Sequence, residues 1–168
     1  MTTQERYPAH CYSDNLCLKV PLLLVLAMLF SVRHLFIVFL AYNPSPKMAA
    51  SFTYLQAFQS PWFVFSDLPA LLVLIAWLKR LPESGVFWRG VWKRGRLLLT
   101  ISLLIQFALL LWQQGQGLYQ AYSFTDSQRF VIVNLGLDLL MIYYLWRFAI
   151  VGDVFADFPK AKAPDATS

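Results

Sequence analysis

Four long apolar runs separated by short polar stretches dominate this chain; they cover positions 20–42, 62–78, 97–112 and 130–150. Each run is long enough to cross a bilayer as a helix. A chain of 168 residues has too little other sequence to shield four such helices from water. The pattern predicts an all-α membrane protein with four transmembrane helices and short loops. Signals at the ends of the runs agree. Pro21 suits a helix start, where a missing N–H is harmless. Asn43-Pro44-Ser45-Pro46 ends the first run, Ser60-Pro61 begins the second, and Leu81-Pro82 follows it. Gln113-Gln114-Gly115-Gln116-Gly117 stops the third, and the capping-box spacing of Thr125 and Gln128 starts the fourth helix.

Two connections carry patterns of their own. In 48–60, Met48, Phe52, Leu55 and Phe58 recur at helical spacing, which fits either a short interfacial helix or an aromatic-rich loop. In 86–96, Trp88, Val91 and Trp92 share one helical face, while Arg89, Lys93 and Arg96 share another and Arg94 adds a further cation. That arrangement predicts an interfacial segment whose tryptophans sit at the membrane boundary and whose cations meet anionic lipid headgroups. The domain division is therefore an N-terminal tail over 1–19, a four-helix domain over 20–150, and a C-terminal tail over 151–168 with a disordered end.

Composition supports this division. Hydrophobic residues make up 58% and charged residues 14%, whereas soluble domains lie near 45–50% and 25%. The net charge of +5 raises the question of nucleic acid, but the placement of the cations answers it differently. Arg6, Lys19, Lys79, Arg80, Arg89, Lys93, Arg94, Arg96, Arg147, Lys160 and Lys162 fall in the tails and the second loop. Lys47 and Arg129 alone fall in the other two loops. The positive-inside rule then puts both termini in the cytoplasm and predicts no nucleic-acid partner. The first run contains Arg33 and His34 and has no small-x-small site after it, so a retained helix is expected rather than a cleaved signal.

Polar residues inside the runs are the candidate functional cluster: Arg33 and His34 in the first, Asp67 in the second, Gln106 in the third, and Asn134 and Asp138 in the fourth. At about 1.5 Å rise per residue, Arg33 and Asp138 both lie about 12–14 Å below the outer boundary, and Asp67 and Asn134 about 7 Å below it. Arg33 can therefore reach either aspartate. A purely structural Arg33–Asp138 pair, an ion or proton relay, and a docking site for a partner's helix all remain open.

No metalloprotease, nucleophile-elbow or phosphate-loop motif occurs, so no catalytic residue is assigned. Neither a metal nor a cofactor is expected. His10, Cys11 and Cys17 fall short of a four-ligand zinc site and read as ordinary residues of a reducing compartment. Asp153 and Asp157, four apart, read as a solvated helix end.

Several segments together resemble the YfeZ-like family of small bacterial inner-membrane proteins of unknown function. They are the opening Asp14-Asn15-Leu16-Cys17-Leu18-Lys19-Val20-Pro21, Arg33, Leu68-Pro69-Ala70-Leu71-Leu72, Trp92-Lys93-Arg94-Gly95-Arg96, Asp138, Asp153 and Phe155-Ala156-Asp157-Phe158-Pro159. The family's opening has a glycine where this chain has another residue before Leu18. The resemblance implies a four-helix protein of the bacterial inner membrane and supplies no activity. The function expected is that of a non-enzymatic accessory or interaction protein, with a membrane-protein partner or a second copy of itself. The alternatives are a small transporter or ion- or proton-coupled protein using Arg33, Asp67 and Asp138, and then a lipid-modifying enzyme.

Overall fold

The structure, a computed structural model, describes residues 7–8, 11–12, 17–42, 60–119 and 125–159. Among these it contains seven helices and no strand: α1 (Leu22–Ser31), α2 (Arg33–Tyr42), α3 (Pro61–Leu78), α4 (Val86–Lys93), α5 (Gly95–Tyr119), α6 (Asp126–Arg147) and α7 (Ala149–Ala156). Three stretches are long and apolar enough to cross a membrane: Pro61–Leu78, Gly95–Gly115 and Gln128–Arg147. The α1–α2 pair makes a fourth if it is counted as one span. The interfacial helix considered for 48–60 lies outside the described residues, apart from Ser60.

The first run is not one straight helix. It breaks at Val32, and its halves are bent by 53°. The local cause is visible. Ser31 turns its hydroxyl back onto the carbonyl of Ala27 at 2.8 Å, a bond that competes with the helical ladder, and the Val32 N–H closes a tighter turn onto Leu29 at 3.2 Å. The fourth run is also divided. Phe148 adopts an extended conformation (φ −97°, ψ 117°), so α6 ends at Arg147 and α7 starts anew. At the third run the helix continues past Gln113-Gln114-Gly115 to Tyr119, because one or two glycines lower helix stability without ending it. The capping box at Thr125 and Gln128 is formed.

Helix α5 is central and packs against α1, α3, α4, α6 and α7, while α3 also packs against α1, α2 and α4. The main core joins Leu24, Met28, Ala70, Val73, Ala76, Leu99, Leu103 and Leu145 to Trp92, Val151, Val154 and Phe155. At the turn from α4 to α5, a side chain on Gly95 would collide with the buried ring of Phe155, so α7 can approach only because residue 95 is glycine.

Residues 151–158, assigned to the C-terminal tail, pack onto the helices, because Val151, Val154, Phe155 and Phe158 are part of the core. One expectation for this end of the bundle needs correction: Trp92 does not sit at a lipid boundary. It is fully buried and donates from Nε1 to the carbonyls of Val154 (2.9 Å) and Asp157 (3.2 Å). The helical face was readable from spacing, but what covers it was not, because its cover lies more than 60 residues later in the chain.

The surface between the two ends is apolar. Leu22, Phe39, Trp62, Phe65 and Trp112 are exposed, while Ser31, His34, Ser66, Asp67, Ser102, Gln106, Asn134 and Asp138 are buried.

Candidate functional site

The helix break exposes backbone groups that a continuous helix would satisfy, and the polar cluster is assembled on them. Asp67 of α3 reaches the start of α2 and accepts the N–H of Leu35 on Oδ2 at 3.0 Å. A carboxylate there also meets the positive end of the helix dipole. Gln106 of α5 donates from Nε2 to the carbonyl of Ser31 at 2.7 Å, holding the other side of the break. The same nitrogen donates to Asp67 Oδ1 at 2.8 Å and to Ser102 Oγ at 3.2 Å. His34 Nδ1 lies 2.9 Å from Asp67 Oδ1, and its ring stacks on Phe63 with centroids 4.7 Å apart.

Arg33, the first residue after the break, connects this group to α6. Its Nη1 donates to Gln106 Oε1 at 2.8 Å and to the Phe30 carbonyl at 3.1 Å, and its Nη2 donates to Asp138 Oδ1 at 3.1 Å. Its guanidinium also lies 4.0 Å from the centre of the Phe30 ring. Of the two aspartates within reach, Arg33 thus bonds Asp138 directly and Asp67 only through Gln106. Five of the six residues expected to form the cluster meet in this network. Asn134 is buried but donates to the Phe130 carbonyl of its own helix at 2.9 Å, and no bond from it to the other five is seen among the described residues.

Sequence reasoning missed three serines. Ser31 marks the break, Ser66 donates to Phe63 O at 2.6 Å, and Ser102 donates to Ser66 O at 2.6 Å near Pro69, where the proline loosens the ladder of α3. Ser102 and Gln106 are four apart on one helical face, a signal that was available in the sequence.

The residues expected at the interface divide. Arg89 donates to the carbonyls of Ser84 (3.1 Å) and Pro82 (2.6 Å), and Arg96 donates to Trp146 O at 3.0 Å and lies over that ring. Trp88 is half-buried beside Lys79. Lys93 and Arg94 are exposed.

A second polar group closes the same end of the bundle. Tyr7 donates to Asp153 Oδ2 and the Leu18 N–H donates to Asp157 Oδ2, both at 2.7 Å. Arg80 bonds the carbonyls of Leu18 (2.8 Å) and Asp157 (3.0 Å). Burial lowers the Arg80 pKa from the ordinary arginine value, while Cys17 and Asp157 pull it the other way. Asp153 and Asp157 are therefore committed acceptors rather than a solvated helix end. Cys11 is half-buried and Cys17 buried, while His10 lies outside the described residues. Among the described residues, no three His, Cys, Asp or Glu side chains are placed to hold a metal ion.

This connected pattern coincides with the reach of a family match. The sequence pattern of a family described as protein of unknown function, DUF2919, covers residues 7–157. The chain belongs to the DUF2919 family. The match begins at the tyrosine bonded to Asp153 and ends at Asp157, so the DUF2919 segment includes both closing ties and the whole cluster at the break. No curated protein and no solved structure matches the chain.

Proposed function

We propose that this DUF2919 protein is a polytopic protein of the bacterial inner membrane, of the YfeZ-like kind, crossing four times with both termini in the cytoplasm. Support for a lipid environment comes from its inverted polarity: Trp112 is 87% and Leu22 75% exposed, whereas Asp67 and Asp138 are 0% exposed. In water that distribution would be unfavourable on both counts. The alternation of basic and cation-poor connections supports the orientation. Exposed Lys93 and Arg94 are the cations best placed for anionic headgroups.

Its role is that of a non-enzymatic accessory or interaction protein. The observation carrying this reading is that Arg33, His34, Asp67 and Gln106 are committed to one another and to the two sides of the helix break. Contact with a membrane-protein partner, or with a second copy, then falls to the apolar periphery. The test is purification at native expression in mild detergent, with mass spectrometry of what accompanies the protein. A stoichiometric companion, or a defined oligomer of the chain itself, is the expected result. A monomer accompanied only by lipid overturns this role.

A small transporter or ion- or proton-coupled protein is the second reading, favoured by the break beside Arg33, since interrupted helices are a common basis for ion sites. Cysteines placed beside Asp138 would then react with a water-soluble thiol reagent. Reaction only at helix ends overturns that reading. A lipid-modifying enzyme built on Asp153 and Asp157 finds no support, because both carboxylates already accept internal bonds.

A further inference from the structure

The buried cluster has one fixed cation, Arg33, for two carboxylates, Asp67 and Asp138. From α2 it receives Arg33 and His34, from α3 Asp67, and from α6 Asp138; what α5 contributes, Gln106 and Ser102, is neutral. Arg129, Arg147 and Tyr144 lie toward the ends of α6, and Asp153 of α7 belongs to the closing network. Asp67, Asp138 and His34 are fully buried, and the Arg33 side chain is 13% exposed. Two carboxylates face one guanidinium and one imidazole, so the cluster balances only when His34 or one of the carboxylates carries a further proton. An uncompensated charge in an apolar interior is costly, and taking up a cation removes it.

The hydrogen bonds show where that cation belongs. Asp67 accepts from Leu35 N and Gln106 Nε2 and shares a hydrogen bond with His34 Nδ1, an arrangement that suits a carboxylate. Asp138 is held differently. Its Oδ1 accepts one bond from Arg33, while Oδ2 is buried with no hydrogen-bond partner among the described residues. We propose that Asp138 is a proton-binding site, and that the proton on it decides which partner Arg33 holds.

The second half of the proposal follows from the other unsatisfied atom of the pair. Arg33 Nε is also buried without a partner among the described residues. Arg33 Nε and Asp138 Oδ2 are a donor and an acceptor on residues already joined by one bond. When the proton leaves, they complete a two-bond guanidinium–carboxylate fork. That movement draws Arg33 toward α6 and away from Gln106, whose amide holds the Ser31 carbonyl at the break. Proton loss at α6 is thereby transmitted to the α1–α2 bend. This inference deepens the proton-coupled reading and rests on the lipid environment proposed above, but it requires no transport.

The test is infrared spectroscopy of the purified full chain in lipid nanodiscs. A protonated carboxyl band is expected in the wild type near neutral pH. It should disappear at alkaline pH, be absent from Asp138→Asn, and persist in Asp67→Asn. If Asp138→Asn does not fold, Asp138→Glu keeps the group and is expected to move the band. The absence of such a band from the wild type, or a band unchanged by both Asp138 variants, overturns the proposal. Fractionation separates the two ideas. A protein found outside membranes defeats the lipid reading, whereas a membrane-resident protein without the band defeats only the proton site.

Discussion

Asp67 caps a helix to which it does not belong: its Oδ2 accepts the N–H of Leu35, in the first turn of α2, at 3.0 Å. Removing that carboxylate strands Leu35 N–H and one side of the Gln106 amide and takes away the partner of His34 Nδ1. Asp67→Ala is expected to cost about 3–5 kcal/mol, the range for breaking a buried pair. Asp67→Asn retains an oxygen for Leu35 and is expected to lose less. Thermal unfolding in detergent compares them, and equal losses would show that the cap contributes nothing.

Arg33 reaches Asp138 directly, so the two side chains can be exchanged. Arg33→Ala is expected to destabilise the protein more than Arg33→Asp combined with Asp138→Arg, because only the single change leaves the buried acidic groups without the guanidinium. An exchange as damaging as the single change would mean that the bond to Gln106, which the exchange also removes, carries the stability.

Gly95 touches the ring of Phe155 where α7 crosses the start of α5. Gly95→Ala forces that fully packed ring to move and is expected to cost about 1–3 kcal/mol. Adding Phe155→Leu to Gly95→Ala should restore part of the loss. If the double variant is merely the sum of the two losses, the contact is not the reason for the glycine.

Trp92 and its neighbours Lys93 and Arg94 are expected to separate cleanly. Trp92→Ala removes a fully buried ring and both indole bonds, with an expected loss of about 3–5 kcal/mol. Lys93→Ala with Arg94→Ala should leave the unfolding midpoint nearly unchanged, since both side chains are exposed. The same double variant should retain less anionic lipid, relative to neutral lipid, when purified from membranes of mixed composition. Unchanged retention would remove these two cations from the headgroup contact.

The apolar runs, the capping box and the reach of Arg33 to Asp138 were legible because each depends on local spacing or on depth along a helix. The break at Val32 was not. A serine in an apolar helix is commonplace, and this one becomes a bend because Gln106 and Asp67, 75 and 36 residues after Ser31, take up the backbone groups that it frees. The same limit applies to Trp92 and Asp157. Periodicity gave them a helical face, but their partners are set by how separate elements meet. The cluster was legible as a set of unusual residues, while Ser66 and Ser102, which extend it, look ordinary in any one helix.

The ties between Leu18 and Asp157 and between Tyr7 and Asp153 have a consequence for biosynthesis. The Leu18 N–H finds its acceptor 139 residues later and Tyr7 finds its own 146 residues later, while Arg80 and Trp92 also donate to carbonyls in 154–157. A growing chain can therefore place its first helices long before this end can close. Until the last of these acceptors leaves the ribosome, Leu18, Arg80 and Trp92 remain without them, so these bonds can form only late in the protein's maturation.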